Sequence, residues 1–138
     1  MAAGPGPGGS AEIEKTFENY FNSVGIPFKG TDFTGRSDYG PFIAAGIPSS
    51  GLFTGAEGIK TADEVALWGG TAGQQYDPCY YLACDTLANN NNTALDTNSD
   101  AIAYAVLQYA MNTSDVDGQR GKGNFKIPEN FQQILQAE

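Results

Sequence analysis

Cys79 and Cys84 are the only cysteines and enclose four residues in the segment CYYLAC. A structural zinc site takes about four donors, so two thiolates in a chain without histidine fall short of one. The spacing is also longer than the CxxC of common redox pairs. A local disulfide is the leading reading, with two buried thiols and a redox pair as the alternatives. Asp96 and Asp100 in LDTNSD stand one helical turn apart. Near the first-turn amides of a helix such a pair can hold a hard cation such as calcium if other oxygens join it; otherwise the two are ordinary helix-start acids. Arg36 and Asp38 flank Ser37 in the glycine-bounded turn GRSDYG, where they serve either a ligand or the turn itself. Asn91-Asn92-Thr93 and Asn112-Thr113-Ser114 are acceptor triplets for N-linked glycans in a eukaryotic secretory route, although an asparagine-rich chain also produces such triplets by chance.

Histidine is absent from all 138 residues. That removes the commonest neutral-pH base and the commonest nitrogen ligand for zinc, and with them every His-based triad. Seven basic against sixteen acidic residues give a formal charge of -9, which repels a phosphate backbone and disfavours nucleic acid. No apolar run approaches the ~20 residues of a membrane-spanning helix. The start lacks the basic patch and apolar stretch of a secretory signal, so an exported protein would carry its signal outside this chain. A length of 138 residues with 41% hydrophobic residues suits one domain, while 18 glycines imply much loop.

The elements that position these residues follow from periodicity and capping. Residues 1–10 are glycine, proline and alanine with little to bury and read as a flexible tail. Ile13, Phe17, Tyr20, Phe21 and Val24 predict a helix over 11–23, capped by Ser10 and ended by Gly25 and Pro27. Residues 26–33 form a short extended segment. Ser37 caps a short helix through Phe42 that stops at Gly46, and Ile47, Leu52 and Phe53 suggest a buried strand. Thr61 with Glu64 is a capping-box pattern for a helix running to Trp68. A long loop over 71–85 holds the cysteines, and Leu95, Ile102, Ala105, Val106 and Tyr109 mark a helix ending near Met111. Residues 112–138 form a variable extension in which Ile127, Phe131, Ile134 and Leu135 suggest an amphipathic helix around Pro128. Helices alternating with strands predict an α/β fold with a partial, mostly parallel sheet.

Taken together, GRSDYGPFIAAGIPSSGLFTGAEGIKT, WGGTAGQQYDPCYYLACDTL and NTALDTNSDAIAYAV strongly resemble the zinc aminopeptidases of family M28, from about Glu12 to Met111. The resemblance covers the carboxy-terminal part of such a domain, makes 11–111 the family-like region, and implies that the partial sheet derives from the aminopeptidase α/β sandwich. In that family CYYLACD normally reads CYH, two variable residues and CD. The resemblance therefore implies that Tyr80 is the tyrosine stabilising the tetrahedral intermediate, that Cys79 and Cys84 form a bridge, and that Tyr81 replaces a zinc-binding histidine. A phenol loses its proton only near ~10, so it is a poor zinc ligand at neutral pH. GRSDYGPF resembles the family's GRSDHAPF, which places Arg36 and Asp38 in the active-site neighbourhood and Tyr39 where the family has histidine. Asp96 and Asp100 resemble positions of a calcium site found in some members.

The remaining zinc ligands and the general-base glutamate of the family have no counterpart here. No complete zinc site is expected, and the leading functional reading is a noncatalytic aminopeptidase-derived domain that acts as a homo-oligomer or on a complementary polypeptide. The alternative is one piece of a split or processed zinc aminopeptidase. A disulfide together with glycan acceptors at Asn91 and Asn112 suggests a secreted protein.

Overall fold

The computed structural model describes residues 6–32 and 34–117. Its helices are α1 (Ser10–Val24), α2 (Tyr39–Ala44), α3 (Ala62–Trp68), α4 (Asn92–Met111) and α5 (Ser114–Asp117), with a single 3-10 turn at Leu87–Asn89. Among the described residues no helix is long and apolar enough to cross a membrane.

The expected α/β architecture is corrected by this arrangement. The described residues contain no strand, only an isolated antiparallel bridge between Ile59 and Gln75. Residues 26–32 and 47–54, which carry the apolar content of candidate strands, run as irregular chain. A strand is completed by the neighbour that takes its N–H and C=O groups, and apolar content alone supplies none. Ile47 and Phe53 are accordingly exposed. The amphipathic helix expected around Pro128 lies outside the described residues.

α1 and α4 form the main seam. Phe21 and Thr16 are the buried residues of α1, and Ala101 and Ala105 those of α4. Alanine side chains let helix axes approach closely. The seam carries a polar cluster in which the Thr16 and Tyr109 hydroxyls lie 2.6 Å apart and both reach the Glu12 carbonyl, at 3.1 and 3.4 Å. Aromatic contacts extend it: Tyr20 meets Tyr104 at 5.4 Å and Phe21 meets Phe28 at 5.9 Å between ring centroids. α5 packs on α1. Gly9, whose φ of 100° is open to glycine, stands where a Cβ would strike the Val116 carbonyl. Ser10 lies inside α1 instead of capping it, and its hydroxyl accepts from the Ser49 amide at 3.0 Å. Gly25, in the left-handed conformation, closes the other end.

A second cluster gathers around α3. Thr61 accepts from the Glu64 amide and Glu64 accepts from the Thr61 amide, completing the capping box read from the sequence. Lys29 reaches the same carboxylate at 2.6 Å, and the Trp68 indole donates to the Pro27 carbonyl at 2.9 Å, so α3 is fastened to the chain that follows α1. Residues 56–60 and 73–77 run side by side through backbone bonds such as Tyr76 to Gly58 and Lys60 to Gln74, both 2.9 Å.

Two outcomes follow from these seams. Ala101 is fully buried, and a larger residue there forces the helices apart. Ala101→Leu should destabilise the chain by about 1–3 kcal/mol in denaturant unfolding. Glu64 is held well below the usual carboxylate range, at about 2, first by Lys29 and then by the Thr61 amide. A depressed carboxyl contributes stability above its unfolded value and loses it as pH falls through the folded value. Trp68 emission should therefore report loosening of α3 between about pH 5 and about pH 2, and Glu64→Gln should flatten that dependence.

Candidate functional site

The turn carrying Arg36 is closed locally. Gly35 donates to the Tyr39 hydroxyl at 3.0 Å, and Gly40 donates to the Ser37 carbonyl at 2.8 Å. Tyr39 therefore works here as a clasp on its own turn. Asp38 is the residue before α2, exposed, and makes no capping bond. Arg36 instead reaches across the sequence and donates through Nη2 to Glu57 Oε1 at 2.8 Å. Glu57 sits in the turn at the start of the 56–60 stretch, next to Gly55, which leaves room for the Tyr76 ring. Sequence reading placed Arg36 but missed Glu57, because the two stand 21 positions apart and neither belongs to a periodic element.

The cysteines are joined as a disulfide with Cα atoms 5.3 Å apart. Asp77 anchors the loop: its Oδ1 accepts from the Cys79 amide at 2.8 Å and from the Asn89 side chain at 2.9 Å. The signal for this role was an aspartate before proline, a common turn initiator that bonds to amides two residues on. Inside the bridge Tyr80 and Tyr81 lie with ring centroids 4.4 Å apart. Tyr81 has a φ of 56° and is 85% exposed. A non-glycine residue held in the left-handed region costs on the order of 1–2 kcal/mol.

Arg36, Glu57, Tyr80 and Tyr81 form one electrostatic group. Hydrogen bonding with Tyr81, then burial and the Tyr81 and Glu57 charges, raise the Tyr80 hydroxyl above its ordinary value, and Arg36 opposes them. Glu57 is itself lowered, first by a backbone amide in its own loop and then by Arg36. A neutral phenol of this kind donates a hydrogen bond to a developing oxyanion without carrying charge.

The possible cation positions are poorer. Tyr81 projects into solvent, and the described residues hold no group of three or more His, Cys, Asp or Glu side chains able to bind a metal ion. The donor set does not fit zinc. Asp96 and Asp100 lie in the first half of α4, both exposed. Their charge is felt by Tyr20, whose hydroxyl is raised first by burial and then by Asp100 and Asp96. No third such donor joins them among the described residues. Asn91 caps α4 by accepting from the Ala94 amide at 3.1 Å, and Asn112 follows its last turn. A shallow hollow lined by Phe21, Asn22, Gly25, Ile26, Pro27 and Phe28 contains no titratable side chain and offers no acid–base chemistry.

The model of peptidase family M28 matches residues 4–106. Leupeptin-inactivating enzyme 1 of Streptomyces exfoliatus is 47% identical over 125 residues, which cover 86% of this chain and 28% of that protein. Leucine aminopeptidase 2 of Trichophyton rubrum is 54% identical over 105 residues, 76% of this chain and 21% of that protein. A probable leucine aminopeptidase 2 of Aspergillus oryzae is 51% identical over 111 residues, 80% of this chain and 22% of that protein. The chain thus spans 21–28% of the length of these three relatives.

The electrostatic group can be tested through the phenolate absorbance of the tyrosines. Tyr81→Phe should bring the Tyr80 titration to lower pH, and Arg36→Met should carry it higher. Unchanged titration in both variants would show that Tyr80 does not sense its neighbours.

Proposed function

We propose, since this chain belongs to peptidase family M28, that it is a noncatalytic aminopeptidase-derived unit that acts by association with a complementary polypeptide of the same family. The observation that supports this is the surface of α4. Ala101 and Ala105 are buried, while Leu95, Ile102, Tyr104, Val106, Leu107 and Met111 are exposed on its other sides. Over residues 101–111 the helix is apolar on every side apart from Gln108, and a helical stretch of that kind belongs in an interior. Among the described residues the buried apolar set comprises Phe21, Ala101 and Ala105. The regions of the M28 relatives that this chain does not span are the fitting cover, and in this reading a second polypeptide supplies them.

The noncatalytic assignment rests on donors. Cocatalytic hydrolysis requires metals to polarise the carbonyl and a carboxylate to move the proton. Tyr81 is an exposed phenol where the family's resemblance calls for a histidine. The disulfide supports an oxidising compartment, and we assign the unit to the exterior of the cell. A second reading, one part of a split zinc aminopeptidase that releases amino-terminal residues, is favoured by Tyr80 and Arg36 lying in one electrostatic group.

Co-expression of the full chain with the amino-terminal portion of an M28 aminopeptidase separates these readings. Native mass should show a one-to-one complex with negligible zinc and no release of leucine from a leucyl anilide. Ile102→Lys together with Leu107→Lys should abolish the complex. Stoichiometric zinc with turnover would replace the noncatalytic reading by the split enzyme, and a monomer that ignores the added portion would overturn both.

A further inference from the structure

We infer that Asn112 is an N-glycan acceptor, carrying an oligosaccharide at the carboxyl end of α4. Asn112 is exposed and lies in extended backbone, with φ −160° and ψ 130°, immediately after the last turn of the helix. Its Oδ1 accepts from the Ser114 amide at 2.9 Å. That turn holds the acceptor amide and the serine required two positions later, which opens α5, on one exposed stretch of chain. Among the described residues nothing bonds to the Asn112 Nδ2.

Transfer is compatible with the fold because it uses the other atom of the amide. The C1–O bond between the oligosaccharide and its lipid pyrophosphate carrier breaks, and a C1–Nδ2 bond forms. Nδ2 gives up one proton to a carboxylate of the transferase, and the lipid pyrophosphate leaves with the bonding electron pair. Oδ1 keeps its bond to Ser114 throughout. Asn91 differs in degree: both residues after it, Asn92 and Thr93, are already in α4, whereas after Asn112 only Ser114 is helical, as the first residue of α5. A transferase reads an extended acceptor segment more readily than a helical one, which makes Asn112 the principal site. A glycan there sits at the end of α4 and leaves its apolar sides free.

The inference depends on passage through a eukaryotic secretory route, and stands whether or not an M28 partner is bound. The full chain, placed behind a secretion signal in such a host, is tested by intact mass before and after peptide-N-glycosidase. Both exported and cell-associated pools are measured, because transfer precedes export. Enzyme treatment should lower the mass and leave a carboxylate in place of the Asn112 amide. Asn112→Gln and Ser114→Ala should each abolish that change at this position, whereas Ser114→Thr and Asn91→Gln retain it. An unmodified Asn112 in both pools, or a mass loss that survives in Asn112→Gln because Asn91 carries the only glycan, would overturn the inference.

Discussion

The contact between α1 and α4 is the constraint on which the other features hang. Ala101 and Ala105 set how closely the two helices approach, and Phe21 fills the space beside them. The Thr16 and Tyr109 hydroxyls bond at 2.6 Å within this seam, so neither polar group is left without a partner as the helices close. α5 is held against α1 by the glycine at position 9, and the chain after α1 carries the Pro27 carbonyl and Lys29 that fasten α3. The α1–α4 seam thus orders the amino-terminal half, and α3 is secured to it at second hand.

Short-range features were legible in the sequence. The capping box at Thr61 and Glu64, the glycine stop at position 25 and the long helix ending at Met111 each depend on residues within a turn or two of one another. The bridge between Cys79 and Cys84 was the leading reading of their spacing. The parallel sheet expected from the apolar runs is absent among the described residues, because a run such as 47–54 records a tendency to be covered and says nothing about which chain supplies the cover. Glu57 and Asp77 escaped for a related reason. Each acts through partners that the fold brings to it, Arg36 in one case and Asn89 in the other.

The candidate site is a loop fixed by local bonds and set in a defined electrostatic environment. The disulfide and the Asp77 anchor hold the loop around Tyr80, and the Arg36–Glu57 pair acts on Tyr80 through its charges. The electrostatics at Tyr80 are set by Tyr81, burial, Glu57 and Arg36, while the Tyr81 ring stands in solvent.

Trp68 is the single tryptophan of the chain, and its indole both donates to Pro27 at 2.9 Å and stands 6.3 Å from the Tyr76 ring. One fluorophore at one junction makes the molecule its own optical gauge. Its emission follows the attachment of α3 without an introduced label, and energy passed from Tyr76 to the indole registers the spacing of two segments that no covalent bond joins.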